Sequence, residues 1–287
     1  MDGGRTGEAE AYFKRELGIR EASMEPNDLS IANVLYALGR CIQVAGRSWE
    51  AEACFKRELQ IREMNMGPDD LLVAHTLHTL GLCVREAGRL GEAEIYFKRE
   101  LRIRKEKMEP GDLCVSNALY ALGCCIQDAG RRGEAESFFK RELEILEAKV
   151  DSDDLSISSL LHGLGQCVQD AGRPGEAEAL FKRELGILEV KMGPDDLSIA
   201  NTLHALGQCV LDGGRTGEAE SYFKRELGIR EANMEPSDLS IANALYALGL
   251  CVQVGSRPWE AEALFLRELE IREAKAGPDD PSVSNTL

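Results

Sequence analysis

The chain has 287 residues, 44% of them hydrophobic and 29% charged, a composition that folds rather than one that stays disordered. Its formal charge of −16 and pI near 4.8 argue against nucleic acid and against an anionic membrane surface, both of which are bound through Lys and Arg. A cationic or neutral peptide partner is compatible with that charge. No apolar run approaches the roughly 20 residues that span a bilayer, and the N-terminal MDGGRTGEAE has no signal-peptide core.

The first element, within residues 1–27, is a helix carrying Ala9, Phe13 and Leu17 on one stripe at i, i+4 and i+8. Glu10 with Lys14 and Glu16 with Arg20 are i,i+4 pairs in the favourable orientation, and Pro26 and Asn27 end the helix. Asp28 then reads as the N-cap of a second helix, with Ile31, Leu35, Leu38 and Ile42 on its buried face and Gly46 as its left-handed cap. A further helix follows over Gly46–Met66.

From there the chain repeats itself every 42 residues without insertion or deletion. Glycine recurs at 4, 46, 88, 130, 172 and 214, each followed by arginine, and Ser256-Arg257 continues the column. Phe13, Phe55, Phe97, Phe139, Phe181, Phe223 and Phe265 form a second column. A fixed period of this size marks a stacked array in which each unit contacts its neighbours. The expected organisation is one array: a half repeat over 1–27, full repeats over 28–69, 70–111, 112–153, 154–195, 196–237 and 238–279, and the start of another over 280–287. Asp2–Gly39 and Asp212–Gly249 match at all but four of 38 positions, which points to duplication of whole units.

Three further columns carry structural expectations. Cys41, Cys83, Cys125, Cys167, Cys209 and Cys251 lie one repeat apart, and stacked helices about 8–10 Å apart are too distant for disulfides. They read as free, buried thiols, which points to a reducing, cytoplasmic location. Gly39, Gly81, Gly123, Gly165, Gly207 and Gly249 sit mid-helix at a cost of about 1 kcal/mol each. They are expected to admit another helix backbone, with Ala51 and its equivalents facing them.

Leu38-Gly39 in a first helix, the Gly46-Arg47 turn, and Glu50-Ala51-Glu52 with Phe55 and Leu59 in a second resemble the tetratricopeptide repeat. The 42-residue length and the linkers Gly67–Asp70 and Gly193–Asp196 are similar to the longer form in kinesin light chains. The resemblance covers the whole chain. It implies an all-α, right-handed α-solenoid of stacked antiparallel helix pairs, whose first helices line a concave groove. Two departures stand out. Glutamate follows the phenylalanine by three positions, at Glu16, Glu58, Glu100, Glu142, Glu184, Glu226 and Glu268, where the family has a small residue. These are expected to be half-buried and paired with the i+4 arginines and the turn arginines; Leu146 and Leu188 replace two of the i+4 set. Tyr36-Ala37 and its equivalents stand where kinesin light chains carry an Asn-Asn pair, so no cargo preference carries over.

The groove-facing positions are expected to bind. One column reads Asn33, His75, Asn117, Ser159, Asn201, Asn243; a second reads Tyr36, His78, Tyr120, His162, His204, Tyr246. A third reads Arg40, Leu82, Cys124, Gln166, Gln208, Leu250, and a fourth Gln43, Arg85, Gln127, Gln169, Leu211, Gln253. Amide side chains suit a peptide backbone and tyrosine supplies rigid contact area. Glu86, Asp128, Asp170 and Asp212 favour a basic ligand, while Arg40 and Arg85 favour a carboxylate. His75 and His78 have a chelating spacing but no third ligand, so no metal ion and no cofactor is assigned. The sequence has no P-loop, HExxH, GxSxG or paired CxxC, so no catalytic residues are expected.

Two functions fit. One is an adaptor that holds a protein or peptide partner in the groove, without enzymatic activity. The other is the repeat part of a larger polypeptide, such as a nucleotide-driven signalling protein, that packs on its own parent chain. Apolar array ends without polar caps speak for the second and also for self-association.

Overall fold

A computed structural model describes residues 3–151 and 153–276. Among them are thirteen helices and no strand. They divide into two compact units, one ending at Lys149 and the other beginning at Val150.

The first unit holds α1 (Gly3–Ser23) and three pairs: α2 (Leu29–Val44) with α3 (Ser48–Met66), α4 (Leu71–Glu86) with α5 (Leu90–Lys107), and α6 (Leu113–Asp128) with α7 (Arg132–Lys149). The second holds α8 (Leu155–Asp170) with α9 (Pro174–Lys191), α10 (Leu197–Asp212) with α11 (Thr216–Asn233), and α12 (Leu239–Val254) with α13 (Pro258–Ala276). Within each unit, every second helix also packs on the first helix of the pair that follows. Each unit is thus an all-α stack of helix pairs.

Local chemistry fixes the helix ends. The Asp28 carboxylate accepts the Ser30 amide at 2.7 Å, and Asp70, Asp112, Asp154, Asp196 and Asp238 cap their helices in the same way. At the other end Gly46 has φ 76°, where a side chain is disfavoured. Its amide reaches the Gln43 carbonyl at 2.9 Å and the Arg47 amide the Ile42 carbonyl at 3.2 Å, closing the helix. Ser256 takes this left-handed conformation without being glycine, at φ 61°.

First helices bury a broad face; α4 buries Val73, Ala74, Leu77, Leu80 and Val84. Second helices bury a narrower stripe, such as Ala93, Phe97, Leu101 and Ile103. The mid-helix glycines serve this packing, though not as expected: a methyl group on Gly39 would lie 2.7 Å from the Phe55 ring, and one on Gly207 2.5 Å from Phe223. The neighbour is the aromatic ring of the same pair, not a helix backbone or Ala51.

The turn arginines staple neighbouring pairs together. Arg131 donates to Glu94, 37 residues earlier, at 2.8 and 2.9 Å and to Glu134 on its own helix. Arg47 with Glu10, Arg89 with Glu52, Arg215 with Glu178 and Arg257 with Glu220 repeat the pattern. Arg131 and then Lys98 hold the Glu94 carboxyl down at about 2. These arginines are therefore taken by half-buried glutamates between the helix pairs and are not the partners of the core glutamates.

Candidate peptide-binding surface

The surface starts from the core glutamates beneath it. They are more deeply buried than expected: Glu58, Glu100 and Glu268 are 0% exposed and Glu142 and Glu184 are 4% exposed. A carboxylate taken from water needs partners. Arg62 Nε donates to Glu58 at 2.7 Å and Thr76 Oγ1 donates to it at 2.9 Å. His78 lies 3.0 Å from Glu100, which also pairs with Arg104 at 2.9 Å. Glu184 takes His162 at 3.1 Å and Thr202 at 2.9 Å; Glu226 takes His204 at 3.0 Å and Arg230 at 2.9 Å. Arg272 closes on Glu268. Glu142 differs, since Tyr120 and Leu146 occupy the histidine and arginine positions. Its partner is Ser116 Oγ at 3.4 Å, and burial pushes its carboxyl up to about 8.

These anchors organise the second groove column. Tyr36, His78, Tyr120, His162, His204 and Tyr246 rest on the phenylalanines of their own pairs, with ring centroids 5.7–6.1 Å apart. The first five are half-buried and Tyr246 is exposed, and the three histidines spend Nδ1 on a core carboxylate.

The first column is exposed but partly occupied. Arg62 Nη2 donates to Asn33 Oδ1 at 3.1 Å, Arg230 to Asn201 at 2.9 Å and Arg272 to Asn243 at 2.9 Å. Each of these arginines therefore bridges a buried glutamate and a surface asparagine. Asn117 is exposed and has Leu146 at the matching position. His75 Nε2 is 3.0 Å from the Tyr36 hydroxyl, which ties α2 to α4.

In the other two columns, Arg40 is exposed and donates to Gln43 at 3.1 Å, and Gln208 donates to Asp212 at 2.8 Å. Gln166 lies 3.0 Å from His162 Nε2. Arg85 Nε donates to Asp128 at 2.6 Å, so the chain itself supplies the carboxylate expected of a ligand. Gln127 and Gln169 are half-buried. Gln253 is exposed beside a cleft of about 230 Å³ lined by Pro258, Ala261, Phe265 and Leu266. Cys124 lies against Tyr120, and desolvation lifts its thiol to about 11.

Sequence reasoning missed the arginine bridges and the threonines. The i,i+4 spacing of Glu58 and Arg62 was visible; the 29-residue reach to Asn33 required the hairpin. All nine cysteines are free thiols. Among the described residues no three His, Cys, Asp or Glu side chains converge as metal ligands. No described helix is long and apolar enough to cross a membrane.

No curated protein matches the sequence. Among solved structures, BtubC (BKLC) from P. vanneervenii superposes with a TM-score of 0.64 at 19% identity, over 83% of this chain and 92% of that one. A kinesin-light-chain-type protein of Podosopora anserina with nearly identical TPR-like repeats gives 0.63 at 17% identity, over 72% of this chain and 98% of that one. Cut9–Hcn1 of the APC/C gives 0.64 at 15% identity, over 97% of this chain and 45% of that one. At these identities the likeness is one of fold. The tetratricopeptide repeat family matches at residues 30–106, 73–148, 114–189, 156–232 and 198–274, and the chain belongs to that family.

Proposed function

We propose that the chain is a non-enzymatic protein-interaction scaffold that takes a peptide or helical segment of a partner along its first helices. The observation that carries this reading is the column of partly exposed Tyr and His rings. Each rests against a phenylalanine and is partly exposed, so contact area is presented at little cost in side-chain entropy. Exposed Asn117, Gln166 and Gln253 add donors and acceptors beside those rings. Membership of a repeat family that generally mediates protein–protein binding supports the same reading, and the charge of −16 favours a basic partner. Nine free thiols fit a reducing, cytoplasmic setting.

The test is capture of a partner by the full chain, followed by its dissociation constant against Arg40→Ala, Asn117→Ala, Gln166→Ala and Gln253→Ala. Ile95→Ala, on a second helix, is the control. The first set is expected to weaken binding by roughly tenfold and the control by little. The reading fails if no specific partner is retained, or if the control costs as much as the first-helix set.

A further inference from the structure

We propose that the α6–α7 pair seats an arginine side chain of the partner, held between the Glu142 carboxylate and the Asn117 amide. This deepens the scaffold reading and rests on it.

The chain shows what such a seat holds. In α2–α3 the Arg62 guanidinium spans Glu58 at 2.7 Å and Asn33 at 3.1 Å. In α10–α11, Arg230 spans Glu226 and Asn201, both at 2.9 Å. In α12–α13, Arg272 spans Glu268 and Asn243. Asparagine and glutamate are 25 residues apart each time, and Asn117 and Glu142 keep that spacing. What α6–α7 lacks is the arginine: Leu146 stands in its place and supplies an apolar stem without the charge.

The consequence is a buried carboxyl with unmet demand. Among the described residues no cation pairs with Glu142, whereas Glu58, Glu100, Glu184, Glu226 and Glu268 each have an arginine or a histidine. Glu142 is 4% exposed and Ser116 serves one oxygen at 3.4 Å; its Oε2 has no partner, as is also true of one oxygen on Glu58, Glu100 and Glu268, so the missing cation is what sets Glu142 apart. An unpartnered group of this kind carries its full desolvation cost until something pairs with it. Burial raises this carboxyl, as expected where no cation is near. Asn117 is exposed and holds the repeat position from which Asn33, Asn201 and Asn243 accept the bridging guanidinium. A planar guanidinium suits the task better than an ammonium, because its fork reaches two acceptors at once. The α8–α9 pair offers no equivalent, since Glu184 already holds His162 and Thr202 and Ser159 replaces the asparagine.

The probe is a short Gly/Ser peptide with one central arginine, alongside its citrulline and lysine counterparts, titrated into the full chain. NMR follows the Asn117 side-chain amide and the Glu142 carboxyl carbon. The arginine peptide is expected to shift both signals saturably, lysine to do so at least roughly tenfold more weakly, and citrulline to leave them in place. The Leu146→Arg chain supplies its own guanidinium; it is expected to fold with an undiminished melting temperature and to ignore all three peptides. Glu142→Gln is expected to lose the response as well. An arginine response that survives Leu146→Arg, equals that of citrulline, or never appears overturns the seat. A captured partner that Leu146→Arg binds as tightly as the parent chain also overturns the seat while leaving the scaffold reading intact; failure to capture any partner overturns the scaffold reading itself.

Discussion

Helices α1 and α11 are nearly the same sequence: residues 2–23 and 212–233 differ only at Ala11/Ser221 and Ser23/Asn233. Their environments differ far more. Ile19 is 59% exposed and Ile229 4%; Glu16 is 25% exposed and Glu226 1%. Phe13 is half-buried where Phe223 is sealed. The cause lies outside the helices. Helix α11 packs between α10 and α12, whereas α1 has α2 as its main neighbour, with Arg57 of α3 reaching its Glu21 and its Leu17 packing on the cluster that holds Ile61 of α3. Identical stripes thus acquire different burial from their neighbours, and the same glutamate is a surface group in one copy and a core group in the other.

The largest expected difference is at the aromatic. Phe223→Ala should lower the unfolding free energy by about 3–5 kcal/mol, and Phe13→Ala by well under half of that, read from urea denaturation. Equal losses would break the comparison. Next come the arginines. Arg230→Ala strands Glu226 with His204 and should cost about 3 kcal/mol, while Arg20→Ala should cost under about 1 kcal/mol because its ion pair is partly solvated.

Glu142 sharpens the same point through pH. Its carboxyl stands at about 8 in the folded chain, above its ordinary value of 4.5, so folding favours the protonated form. Its contribution is complete at acid pH and is lost as pH rises through that window. Glu142→Gln should remove this decline and stabilise the chain by roughly 2 kcal/mol at pH 8. Melting curves between pH 5 and 8 check it, and parallel pH profiles would sink it. The smallest effect is expected at Ser256, the non-glycine residue in the left-handed turn. Ser256→Gly should add about 1 kcal/mol, and a loss there would show that the serine contributes something beyond the turn.

Much of this was legible in sequence because it is local. The Asp28 cap, the Gly46 turn and the Ala-Phe-Leu stripe each need only one helix and its ends. The glycine column was visible but its neighbour was not, since Gly39 and Phe55 lie on opposite arms of a hairpin. The core glutamates were misjudged because an i,i+4 Glu–Arg pair looks the same on a surface as in a core; only Thr76 and Asn33 distinguish them, and both come from other helices. The expected groove residues fall on the first helices, but charge and spacing alone did not reveal how many were already engaged by arginines.

The stapling arginines have a consequence for how such a chain can change length. Each described staple between pairs spans 37 residues, from Arg47 to Glu10 and likewise at Arg89, Arg131, Arg215 and Arg257. Removing or inserting 42 residues brings a chemically identical arginine and glutamate into register, so the new junction closes like the old one. A change of any other size leaves a guanidinium facing the wrong side chain. The ion pairs therefore act as a ruler that tolerates evolution by whole units and penalises it by fractions.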